Sequence, residues 1–146
     1  MPKSILEPRV TLVTLGVKDL PRSIRFYRDV VGWTTSAAET DPVAFFPLRG
    51  IVLGRFGERS LAADAKTRPR TGGFRGVTLA YNARSRAAVD RIFASLSERG
   101  VRIVKRPQVA DWGGYSGYFA DPDGHLWEVA HNSFWKLDRG GRALVT

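Results

Sequence analysis

Hydrophobic positions along the chain switch between a period of two and a period of about 3.6, and the switches recur in the same order. Residues 9–17, RVTLVTLGV, are rich in β-branched side chains, with Val13, Leu15 and Val17 on one side and Leu12, Thr14 and Gly16 on the other. This predicts a strand. Asp19 then offers an N-cap and Pro21 falls in the first turn. Leu20, Ile24, Tyr27 and Val31 recur at helical spacing until Gly32, so a helix follows. Two short apolar runs, 43–48 and 51–56, flank Arg49-Gly50 and predict a hairpin.

Residues 57–73 break the pattern with charges, Pro69 and Gly72-Gly73, and read as a connector holding a helical turn at 61–65. The plan then restarts. GVTLAY, 76–81, repeats the VTL of the opening strand. Ile24, Tyr27 and Val31 of the first helix recur at identical spacing as Val89, Ile92 and Leu96 of a second, closed by Gly100. Residues 101–109 predict a strand that Pro107 confines to a sheet edge. Residues 115–132 predict a hairpin turning at Asp121-Pro122-Asp123-Gly124, and 134–146 a last short hairpin. The expected architecture is a single α+β domain of two βαββ modules, about 9–56 and 74–132, with the connector 57–73 between them and the tail 133–146 after them. Helices cover one face of each sheet, and the opposite faces line a cleft.

With 146 residues, 43% hydrophobic and 25% charged, the chain has the makings of one cored domain and none of the bias of a disordered one. The absence of cysteine excludes disulfide, thiolate-metal and thiol-nucleophile chemistry. The opening residues carry no signal-peptide pattern and no apolar run is long enough to span a bilayer, so a cytoplasmic location with no membrane partner is expected. The net charge of +9 favours anionic partners. Yet the basic residues, Arg22, Arg25, Arg28, Arg55, Arg59, Arg84, Arg86, Arg91 and Arg99 among them, are scattered, with only 66–70 forming a cluster. No nucleic-acid-binding motif accompanies them, so a solvated basic surface is expected rather than a nucleic-acid site.

Two stretches carry a resemblance. VKDLPRSIRFYRDVVGW, residues 17–33, and GYFADPDGHLWEVAHN, residues 117–132, resemble the opening and closing signatures of the vicinal oxygen chelate superfamily, which includes glyoxalase I, the bleomycin-resistance proteins and extradiol dioxygenases. The resemblance implies paired modules around a cleft and a homodimer. In metal-dependent members, a His, Gln or Glu on the first strand of each module and a Glu on a later strand converge on one divalent ion. Carried onto this chain, those positions fall on Leu12, on Gly76, within one residue of Leu53, and on Glu128. Only Glu128 keeps a donor, so no cofactor is expected, and a divalent metal belongs to the alternative of a metal-dependent lyase or dioxygenase.

The expected site is therefore a ligand-binding cleft lined by Leu12, Thr14, Thr78, Ala80, Trp112, Tyr115 and Glu128. Glu128 is the candidate catalytic base or ligand anchor; its structural alternative is an ion pair with an arginine. Trp112 and Tyr115 are placed to stack on a ligand or, equally, to close the core. His125 and His131 read as turn-end and strand-end residues rather than metal ligands, since strand alternation sends Glu128 to the face opposite both. The expected ligand is a small neutral or anionic organic molecule, because a cationic drug such as bleomycin would be repelled by the net positive charge.

Overall fold

A computed structural model describes residues 5–69 and 72–144; Arg70, in the basic cluster, lies outside them. In module one, strand β1 (Leu12–Val17) leads to helix α1 (Leu20–Arg25), which continues as a π-helical turn (Phe26–Val30), then to β2 (Val43–Pro47) and β3 (Val52–Gly57). Helix α2 (Glu58–Asp64) leads into the connector. Module two runs β4 (Thr78–Asn82), α3 (Arg86–Glu98), β5 (Arg102–Val109), β6 (Tyr115–Ala120) and β7 (Leu126–His131), and the tail adds the pair β8 (Lys136–Leu137) and β9 (Ala143–Leu144).

The two sheets follow one rule. The opening strand of each module pairs in parallel with its closing strand, β1 with β3 and β4 with β7, and the remaining strands extend the sheet antiparallel in the orders β1-β3-β2 and β4-β7-β6-β5. β5 is an edge strand, as Pro107 requires. Its counterpart in module one, residues 33–37, forms no ladder. There the Thr35 hydroxyl bonds the Phe45 carbonyl at 2.6 Å and replaces a backbone contact to β2.

Both long helices start and stop by the same local chemistry. The Asp19 carboxylate accepts from the Arg22 amide and the Ser85 hydroxyl from the Ala88 amide, each at 3.0 Å. Gly100, at φ +74°, reverses the chain so that the Val101 amide closes on the Leu96 carbonyl at 3.0 Å. Gly32, at φ +89°, does the same one residue wider. Val31 N–H reaches Phe26 C=O and Trp33 N–H reaches Tyr27 C=O, because the preceding turn is π rather than α.

The helix-facing side chains of both sheets form one continuous core. Ile24 and Val89, equivalent in the two helices, are fully buried, and Tyr27 packs against Trp33, Phe46 and Trp127 across the boundary between modules. Arg55 corrects the expectation of a solvated position. It lies on the helix face of β3 between Leu53 and Gly57 and is fully buried, with its guanidinium 4.1 Å from the centre of the Tyr27 ring and 3.8 Å from Asp121. Strand alternation is the reason: Leu53 anchors that face in the core, and a residue two positions on must follow it inward. The tail is tied to both modules by the Arg84 and Arg49 guanidiniums, which donate to the Asp138 and Gly140 carbonyls.

Candidate functional site

Strand register decides which side chains share the face away from the helices. In sheet one the parallel pairs Leu12 with Val52 and Thr14 with Gly54, and the antiparallel pair Phe45 with Gly54, set Leu12, Thr14, Gly54 and Phe45 on that open face. They converge on the missing side chain of Gly54. A Cβ there would lie 3.0 Å from the Thr14 hydroxyl, 3.3 Å from Leu12 and 3.5 Å from Phe45. Leu53 points the other way, into the core, so the third ligand-equivalent position is Gly54.

In sheet two, Ala80 pairs with Glu128 and Glu128 with Tyr118, which places Thr78, Ala80, Tyr118 and Glu128 on the corresponding face. Glu128 sits opposite Ala80 as Gly54 sits opposite Thr14. The residues two positions earlier, Leu12 and Thr78, are therefore equivalent. Each also stands seven residues before the N-cap of its module's helix, Asp19 or Ser85. This moves the second-module position from Gly76, which precedes the strand, to Thr78.

The four positions hold Leu12, Gly54, Thr78 and Glu128. One carboxylate and one neutral hydroxyl do not fit a divalent ion, whose protein sites fix several strong donors at once. Among the described residues no group of three or more His, Asp or Glu side chains is placed to hold a metal.

Glu128 takes a hydrogen bond from the Tyr118 hydroxyl at 3.2 Å and, among the described residues, makes no ion pair with arginine. Withdrawal from water pushes the Tyr118 phenol above its usual range, and the charge of Glu128 and the hydrogen bond to it push the same way. Sequence reasoning missed Tyr118: it faces Glu128 only because the hairpin closes on Asp121 and His125, and closure one residue earlier, on Gly124, would have set it opposite Trp127.

The remaining expected residues separate. Trp112 is 47% exposed and lies over Gly114, where a Cβ would meet its ring at 1.8 Å. Tyr115 is opposite His131 on the helix face, its hydroxyl donating to Asp90 of α3 at 2.6 Å beneath the Arg86 guanidinium. That hydrogen bond is the main cause raising the Tyr115 phenol. It is thus away from the open face on which Glu128 lies, since alternation gives Tyr115 the opposite parity to Tyr118.

The histidines take structural posts. His125 bonds the Gly16 carbonyl through Nε2 at 2.8 Å, which makes that nitrogen the protonated one and leaves Nδ1 to accept from Arg75 at 3.2 Å. His131 Nδ1 lies 3.2 Å from the Ala83 carbonyl. No helix among the described residues is long and apolar enough to cross a membrane.

Comparison with known proteins agrees with the paired-module fold. A glyoxalase-related enzyme from Fulvimarina pelagi superimposes with a TM-score of 0.82 at 30% identity, over 96% of this chain and 99% of that one. A lactoylglutathione lyase from Agrobacterium tumefaciens follows it at 0.70 and 25%, over 91% of this chain and 100% of its own. A glyoxalase/bleomycin resistance protein/dioxygenase from Nocardioides shares the fold at 0.74 and 23%, over 98% and 93% of the two chains. The profile of one family matches residues 9–129, most of the chain, and the chain belongs to that family, the Glyoxalase/Bleomycin resistance protein/Dioxygenase superfamily.

Proposed function

We propose that this chain is a ligand-binding or weakly catalytic member of its superfamily that works without a resident metal and holds a small neutral or anionic organic molecule against the open faces of its two sheets. The observation that carries the reading is the quartet Leu12, Gly54, Thr78 and Glu128, in which one position of four can ligate strongly. The same faces offer what an organic ligand needs: apolar surface from Leu12 and Phe45, hydroxyls from Thr14, Thr78 and Tyr118, and one carboxylate to accept a hydrogen bond. The net charge of +9 draws anions toward the protein and disfavours cations.

Leu12 and Phe45 are 41% and 45% exposed, an apolar pair left in water by one copy of the chain. A homodimer that covers the rim of the cleft accounts for them. Light scattering on the eluted protein reads this directly, and a mass of one chain at micromolar concentration rules the dimer out.

The deciding experiment is metal content per chain after expression with nickel, zinc, manganese and iron supplied, followed by dialysis. The expected stoichiometry is near zero, with thermal shifts produced by neutral phenols, whose hydroxyl can donate to Glu128, and lost in Glu128→Gln at unchanged fold. About one metal per chain, with lyase or ring-cleavage turnover that depends on it, would replace this reading by that of a metal-dependent enzyme.

A further inference from the structure

Strand β7 has two sides, and the site above uses one. Trp127 and Val129, flanking Glu128, point the opposite way into a cavity of about 410 Å³ between the end of the first helix and α3. Its floor is aromatic: Tyr27, Trp33, Phe119 and Trp127, with Phe119 and Trp127 parallel at 6.1 Å between ring centres. Val30 and Val31 supply one wall from the π-helical turn and its cap, and Ile92 and Leu96 supply the facing wall from α3. A π turn is rare and is frequently found at functional sites.

The polar rim is of one sign. Arg91 and Ser95 of α3 and Arg99 at its C-cap stand on one side at the cavity, and among the described residues no carboxylate lines it. Arg99 is anchored, its guanidinium donating to the Val30 carbonyl at 2.5 Å across the cavity's edge. Arg91 is exposed, and its guanidinium makes neither an ion pair nor a hydrogen bond with any described residue. A guanidinium left free over an aromatic floor, in a volume fit for a small organic molecule, is complementary to a flat ring bearing a negative group.

We propose that this helix-side cavity is a second binding site, specific for a planar aromatic anion whose ring lies on the aromatic floor and whose carboxylate or sulfonate meets Arg91. It is separate from the open-face site and stands whether or not that site binds anything.

The probe is 8-anilinonaphthalene-1-sulfonate, an aromatic anion, set against the uncharged N-phenyl-1-naphthylamine, with the full chain titrated by fluorescence. One sulfonate dye per chain is expected. Arg91→Glu should raise its Kd by roughly tenfold or more and leave the neutral dye within about twofold, the loss of one charge-assisted hydrogen bond. Ser95→Trp, which fills the cavity, should abolish both, and Ala80→Trp, on the open face, should change neither.

Retention of the sulfonate dye in Ser95→Trp, its loss in Ala80→Trp instead, equal effects of Arg91→Glu on both dyes, or no binding at millimolar dye overturns the proposal. Arg91 is exposed and its substitution leaves the fold intact, so that arm decides the matter should Ser95→Trp fail to fold by circular dichroism.

Discussion

The Tyr27 hydroxyl donates to the Asp121 carboxylate at 2.7 Å and accepts from the Trp127 indole at 3.0 Å, joining the π-helical turn of module one to the β6–β7 hairpin inside the core. Asp121 also accepts from the amides of Asp123 and His125 at 2.9 and 2.8 Å, so the carboxylate that shapes the turn also holds the modules together. Tyr27→Phe keeps the ring and deletes the hydroxyl, leaving a buried indole N–H without an acceptor. The expected loss is about 1–3 kcal/mol of unfolding free energy, read by urea denaturation, and a change within error would mean that water takes the hydroxyl's place.

Arg55 and Asp121 form the second prediction. All three guanidinium nitrogens of Arg55 are buried without a hydrogen-bond partner, so the Asp121 charge at 3.8 Å and the Tyr27 ring are what compensate its burial. Asp121→Asn keeps the shape and removes the charge. It should cost about 3–5 kcal/mol, the penalty of leaving an unpaired ion in the core. Adding Arg55→Met to Asp121→Asn should restore part of that loss, and a double variant no more stable than the single one would show that Arg55 does not depend on the carboxylate.

What the sequence made legible, and what it hid, divides along physical lines. Caps, glycine stops and turn residues act within a few positions of themselves. Asp19, Gly32, Gly100 and Asp121-Gly124 accordingly stand where local chemistry places them, whereas the Ser85 cap was not read from the sequence. Helix α2 exceeds the expected 61–65 turn because it leaves β3 directly at Gly57, with no capping side chain to announce it. The π turn was invisible, since Ile24, Tyr27 and Val31 fit either helical period. Arg55 and the helix-side cavity depend on pairings between distant segments, which a linear pattern does not contain, and Tyr118 on a one-residue choice of register within its hairpin. The open-face residues were half legible: alternation placed Leu12, Thr14 and Glu128, whereas choosing Gly54 over Leu53 and Thr78 over Gly76 required the strand register.

Glycine 117 carries the third prediction. A Cβ on Gly117 would lie 2.7 Å from the Lys105 carbonyl oxygen, 2.7 Å from the Phe93 ring and 2.9 Å from the Pro107 nitrogen. Two of these are backbone atoms of the neighbouring strand, which cannot turn aside, and the register shift of β5 against β6 between Lys105 and Gln108 lies at the same place. Gly117→Ala should therefore destabilise by about 1–3 kcal/mol. Gly54→Ala meets the movable side chains of Thr14, Leu12 and Phe45 at 3.0–3.5 Å and should cost less than about 1 kcal/mol. Thermal unfolding of the two variants side by side checks the order, and the reverse order would contradict the packing described.

The last prediction concerns alkaline pH. Burial raises the Tyr27 phenol well beyond the ordinary tyrosine range; the Arg55 charge opposes that shift, while the Asp121 charge and hydrogen bond add to it. The Tyr115 and Tyr118 phenols are raised as well, each beside a carboxylate that accepts its hydrogen bond. A phenol whose folded pKa exceeds its unfolded value of about 10 binds its proton more tightly in the fold. The resulting stability is fully present below that value and is lost as the pH rises through the folded value. Unfolding free energy should hence fall with pH above about 10, and absorbance at the phenolate band should show the buried Tyr27 ionising together with the loss of structure rather than before it. Tyr118→Phe should flatten the fall by removing one of the three contributions, and a slope unchanged in Tyr27→Phe, Tyr115→Phe and Tyr118→Phe alike would trace the alkaline loss to lysine or arginine instead.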